Sequence, residues 1–156
     1  MREIPQNLTG IRIHPPVLTL LHVIAAFLLG SLLPLPVQAS SWMRLAGAGL
    51  VIAGLALALS AVNQFRRAGT TLDPHGGTTL LITTGPYCMS RNPIYIGYVC
   101  FLAGFPLIFE SYWGLGLSPL LVLLMNRLVI QYEEAYLERL YNQDYLDFKS
   151  RVRRWL

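Results

Sequence analysis

Four apolar segments of spanning length in a chain of 156 residues restrict this protein more than any motif does. They cover residues 17–33, 42–62, 93–109 and 113–130, each close to what is needed to cross about 30 Å of hydrocarbon. Only 13% of residues are charged while 54% are hydrophobic, against roughly 25% charged in a soluble domain. The expected fold is therefore all-α: a single integral membrane helical bundle of about four transmembrane helices, with a cytoplasmic C-terminal helical extension over residues 131–156 and a loop over 63–92. The net charge of +4 sits mainly at the polar ends and in the central loop, where it faces anionic lipid headgroups. No basic soluble face exists for a nucleic acid.

The segments differ in kind. The first ends at Pro34 and Pro36, and the second carries Ala46, Gly47, Gly49, Ala53, Gly54, Ala56 and Ala58, small residues that let helices approach closely. The third and fourth are separated only by residues 110–112, which makes them a tight hairpin. Arg2 and Arg12, then Arg66, Arg67 and Arg91, then Arg139, Lys149, Arg151, Arg153 and Arg154 lie on one side, against Arg44 alone on the other. By the positive-inside rule both termini and the central loop are cytoplasmic, as in a multi-pass protein of a bacterial inner membrane. Val37-Gln38-Ala39 resembles a signal-peptidase site, but the run before it is long for a signal peptide, so the first span is expected to be retained.

Polar residues with chemical potential fall in two places. In the first, Thr84 to Gly97 is a turn-rich stretch that opens a hydrophobic helix. Pro93 suits the first helical turn and Asn92 an N-cap, and Arg91 adds charge beside a helix N-terminus that already favours anions. In the second, the polar helix after Ile130 carries Glu133 and Glu134, whose side chains point about 100° apart and so cannot share one task equally. The pair reads either as an ordinary charged helix exit or as a carboxylate that meets a cationic ligand. Arg127 either serves a function at membrane depth or snorkels to headgroups. Asn142 and Asp144 mark a break, after which 145–156 reads as a basic amphipathic helix with Trp155 at the interface. His22 is expected to bond between helices. Cys88, Cys100, His14 and His75 match no metal or redox spacing, so no metal is expected.

Leu80-Leu81-Ile82-Thr83-Thr84-Gly85-Pro86-Tyr87, Arg91-Asn92-Pro93-Ile94-Tyr95, Glu133-Glu134 and the closing 145–153 stretch follow one another around a helical hairpin. In that order the chain, from residue 65 onward, resembles the isoprenylcysteine carboxyl methyltransferase and phospholipid methyltransferase superfamily of integral membrane enzymes. The resemblance implies methyl transfer from S-adenosylmethionine, leaving S-adenosylhomocysteine, to a lipidic or amphipathic acceptor at the cytoplasmic membrane surface. It places Thr79, Leu80, Leu81, Ile82, Gly85, Tyr87, Arg91, Asn92, Pro93, Ile94 and Tyr95 around the cofactor, with Glu133, or alternatively Glu134, at its polar end. Thr79 and Asn92 stand where the prenylcysteine enzymes carry His, and Val129 where they carry a substrate-contacting arginine. That points away from a prenylcysteine acceptor and leaves Arg127 as the candidate for positioning whatever takes its place. The rival readings are an NADPH-dependent membrane reductase of related architecture and a non-catalytic membrane subunit or small transporter.

Overall fold

The computed structural model describes residues 13–36, 40–70 and 80–156. Thr79, His75, the Val37-Gln38-Ala39 motif and the arginines of the N-terminal arm lie outside them. All regular elements among the described residues are helical: α1 Pro15–Leu32, α2 Ser41–Arg67, a 3-10 turn Gly85–Cys88, α3 Pro93–Ile108, α4 Trp113–Met125, a π-helical stretch Asn126–Ile130, α5 Gln131–Tyr141 and α6 Gln143–Arg151.

Among the described residues three helices are long and apolar enough to cross a membrane: α1, α2 and the continuous rod Trp113–Tyr141 that joins α4, the π stretch and α5. The third expected span falls short, because α3 has 16 residues, about 24 Å at 1.5 Å per residue. It occupies the middle of the bundle nonetheless, touching α1, α2 and α4. Outward faces are apolar in the manner of a lipid-facing surface: Leu20, Leu21, Ile24 and Leu28 of α1 and Ile52, Leu55 and Leu59 of α2 are all exposed.

Glycine decides how α2 and α3 meet. A Cβ on Gly104 would lie 2.5 Å from the Gly47 carbonyl oxygen, and one on Gly97 would lie 2.7 Å from that of Gly54. The pairs 47/104 and 54/97 make the two helices antiparallel and bring backbone against backbone, the close contact on which helix association in lipid depends.

Alternate helix ends share a side. At one end the Trp113 indole donates to the Leu33 carbonyl at 3.0 Å, the Ser111 hydroxyl donates to the Ala26 carbonyl at 3.0 Å, and Arg44 pairs with Glu110. The end of α2, the start of α3 and all of α5 and α6 gather at the other. Buried side chains divide likewise. Leu18, Val23, Ala26, Leu102, Leu121, Met125, Val129 and Ile130 fill the bundle interior. Ala61, Ile82, Tyr87, Tyr145 and Phe148 form a second cluster at the end that carries α6.

Three local expectations are corrected. The His22 ring Nδ1–H donates to the Leu18 carbonyl of its own helix at 2.8 Å, not across helices, because the i−4 carbonyl is the nearest acceptor. The last helix runs over Gln143–Arg151 and then stops, since the chain beyond it must extend to reach the start of α3. Trp155 is half-buried with its indole N–H on the Asn126 side-chain oxygen at 3.2 Å, so it belongs to the protein interior as much as to an interface. The break after α5 does fall at Asn142, which takes a positive φ of 48°.

Candidate active site

A cavity opens at the end where α2, α3, α5 and α6 converge. Leu80, Leu81, Ile82, Tyr87, Arg91, Asn92, Pro93, Ile94, Tyr95, Glu133 and Glu134 all line it. Residues more than forty positions apart in the sequence thus share one wall. Gly85 does not line it: with φ +64° it turns the chain where a Cβ would meet the Gln64 amide at 2.4 Å, so its part is to seat the 3-10 turn against α2. Arg127 is exposed and away from the lining, on the π-helical stretch.

The two glutamates divide as adjacent helical positions must. Glu133 accepts a hydrogen bond from the Tyr95 hydroxyl at 2.7 Å, and among the described residues no cation pairs with it. Glu134, whose side chain is 7% exposed, is gripped by two arginines. Arg154 bonds both of its oxygens, Nε to Oε1 at 3.0 Å and Nη2 to Oε2 at 2.6 Å, and Arg91 Nη1 lies 3.1 Å from Oε1. The Arg91 contact is electrostatic only. Its side chain is 9% exposed, and its Nε and Nη1 are buried without a hydrogen-bond partner, a costly condition for a charged donor group. Beside this cluster, burial and then the charge of Glu134 push the Tyr145 hydroxyl up to about 12, against the opposing pull of the Arg91 guanidinium next to it.

Asn92 does not cap α3 through its side chain. Its backbone lies at φ −130° and ψ 53°, away from the usual N-cap geometry, and its amide instead donates to the Arg154 carbonyl at 3.0 Å. The Asn92 carbonyl still starts the helix by accepting from the Tyr95 and Ile96 N–H groups.

Several lining residues were not anticipated from the sequence: Phe65, Tyr136, Leu137, Tyr141, Tyr145 and Phe148. One signal was there to be read. Glu133, Leu137 and Tyr141 follow at i, i+4 and i+8 and must share a helix face. Phe65 left none, and neither did Arg154, which holds Glu134 without lining the cavity, because only the folded chain brings them to this end.

A carboxylate without a cation, a buried arginine with idle donors and an apolar, aromatic wall make up a site for a ligand carrying both charges. Family comparison supplies the class. The model of the family described as Phospholipid methyltransferase matches residues 42–144. The chain belongs to that family, within the integral membrane methyltransferase superfamily. No match was found among curated proteins or among solved structures. The family implies methyltransferase activity and an integral membrane protein, its members generally using S-adenosylmethionine. It favours this reading over a reductase or a non-catalytic subunit.

Proposed function

We propose that the cavity binds S-adenosylmethionine and that the protein methylates a lipidic or amphipathic acceptor at the cytoplasmic membrane surface. The observation that carries this reading is the pairing, in one cavity, of a Glu133 free of cationic partners with a buried Arg91 whose Nε and Nη1 lack hydrogen-bond partners. The donor set fits the cofactor. Its carboxylate suits the Arg91 donors through charge-assisted hydrogen bonds, and its ammonium and sulfonium suit Glu133 and the aromatic ring faces. Leu80, Leu81, Ile82 and Phe65 offer the apolar surface that a nucleoside needs.

When bound, S-adenosylmethionine supplies a methyl group already activated by the positive sulfur. What remains for the chain is to orient, to shield and to hold charge. The Tyr95 hydroxyl donates its hydrogen bond to Glu133 Oε1 and so fixes the direction of that carboxylate. Tyr87, Tyr95, Tyr145 and Phe148 give the cavity an aromatic wall. A carboxylate acceptor needs no base, and we assign none. We further infer a multi-pass arrangement in which α3, enclosed by α1, α2 and α4, is the fourth crossing. Arg66, Arg67, Lys149 and Arg151 at the cavity end support reading that end as the cytoplasmic one.

Equilibrium binding of S-adenosylmethionine and S-adenosylhomocysteine to the detergent-solubilised protein tests the proposal. Saturable binding is expected. Glu133→Gln should weaken S-adenosylmethionine affinity by at least about tenfold, or 1.4 kcal/mol, with the thermal unfolding midpoint nearly unmoved. A wild-type protein that binds neither compound would falsify the reading.

A further inference from the structure

The family match stops at residue 144, yet the cavity end is completed by residues beyond it. The Arg91 N–H donates to the Arg153 carbonyl at 2.9 Å. The Ser90 hydroxyl donates to the Arg154 carbonyl at 3.1 Å, and the Asn92 amide to the same oxygen at 3.0 Å. Ser90 also accepts the Asn92 N–H at 3.0 Å, and it is itself 1% exposed. Three consecutive residues ahead of α3 thus hold the backbone of the C-terminal strap, and the strap delivers the Arg154 guanidinium to Glu134.

That delivery has an electrostatic consequence. Two guanidinium groups share the one carboxylate of Glu134, while Glu133 is bonded to the Tyr95 hydroxyl and pairs with neither. Both oxygens of Glu134 are taken by Arg154 in the forked geometry that arginine and carboxylate prefer. The nearer alternative for Arg91 would be that same fork, since it already approaches Oε1 at 3.1 Å. Because the place is filled, Arg91 Nε and Nη1 stay without a hydrogen-bond partner, buried just behind the cavity lining to which Arg91 belongs.

We propose that Arg154 is a positioning residue: by occupying Glu134 it keeps the Arg91 guanidinium available to an anionic group of the ligand. The inference rests on the cofactor reading above, in which that group is the carboxylate of S-adenosylmethionine. Without Arg154, Arg91 turns onto Glu134, satisfies its own donors and withdraws from the cavity.

Two probes separate this from simple scaffolding. S-Adenosylhomocysteine carries the carboxylate, and 5′-methylthioadenosine shares the nucleoside and thioether but has no carboxylate. Arg154→Ala is expected to weaken S-adenosylhomocysteine binding by at least about tenfold and to leave 5′-methylthioadenosine within about twofold. Adding Glu134→Gln to Arg154→Ala should recover a large part of the loss, because Arg91 then has no carboxylate to collapse onto. A scaffold role predicts the opposite, with both ligands weakened together and the double variant worse than the single. Either that pattern or unchanged binding in Arg154→Ala overturns the proposal. If Arg154→Ala does not fold, Arg154→Lys serves, since one ammonium cannot span both oxygens and the same ligand-selective loss should follow in smaller measure. A wild type that binds neither probe removes the cofactor reading itself, and this inference with it. A wild type that binds both, with no selective loss in the variants, removes this inference alone.

Discussion

At one end of the bundle Arg44 and Glu110 pair in the open, their side chains 56% and 51% exposed. At the other, Arg91 and Glu134 meet with 9% and 7% exposed, and Arg154 joins them. The residue types are the same and the physics is not. In the open, the attraction is screened by water and salt and offset by the entropy of two long side chains. Under cover, each charge depends on its partners, because leaving it unpaired is expensive. Burying the Arg91 guanidinium against a carboxylate whose two oxygens a half-exposed arginine already holds is poor design for stability alone. It makes sense where a further anion is meant to arrive.

The comparison can be broken most forcefully at Glu134. Glu134→Ala should lower the unfolding free energy by about 3–5 kcal/mol, the range for breaking a buried ion pair, read as a clear fall in the thermal midpoint in detergent. A shift no larger than that of a surface substitution would mean that the cluster is hydrated in solution. A subtler probe is alkaline pH. Tyr145 is 2% exposed, and burial followed by the charge of Glu134 raises its hydroxyl from the ordinary 10.0 to about 12. A raised value means that the folded state keeps the proton longer than the unfolded one. The contribution is therefore complete below the unfolded value and is lost as pH rises through the folded one, with a slope near 1.4 kcal/mol per pH unit between. Unfolding midpoints measured from pH 9 to pH 12 (roughly the window this linkage sets) should decline less steeply in Tyr145→Phe than in wild type. Equal slopes would assign the decline to other groups. The smallest effect is expected at the open end. Arg44→Ala should cost no more than about 1 kcal/mol, and less still in high salt. A larger loss would show that the open pair does more than its exposure allows.

How far the sequence reached depended on how far apart the determinants lie. Helix ends set by neighbours were readable: Pro93 opening α3, residues 110–112 closing the hairpin, Asn142 ending α5. So was the company of Arg91, Asn92, Pro93, Ile94 and Tyr95 with Glu133, although only through the order of whole motifs. The amide of Asn92 was not, because its partner is a backbone oxygen 62 positions away, and nothing local marks that oxygen as available. His22 was misjudged for the opposite reason, since its acceptor lay four residues back. The expected third span was one residue too long, since Phe109, though apolar, already lies outside the helix. No composition signal announces a π-helical stretch, and residues 126–130 were taken within an ordinary span.

That stretch bears on the glutamates in one more way. A π turn closes on the fifth residue instead of the fourth, which amounts to one extra residue in an otherwise regular rod. Each residue of an α-helix advances about 100° around the axis. The stretch Asn126–Ile130 therefore sets the angular phase of α5 independently of α4. Were the rod uniform, the direction in which Glu133 now faces Tyr95 would belong to one of its neighbours. Which carboxylate meets the arginines and which stays clear of them is fixed one turn upstream, by an offset in rotation that neither glutamate encodes.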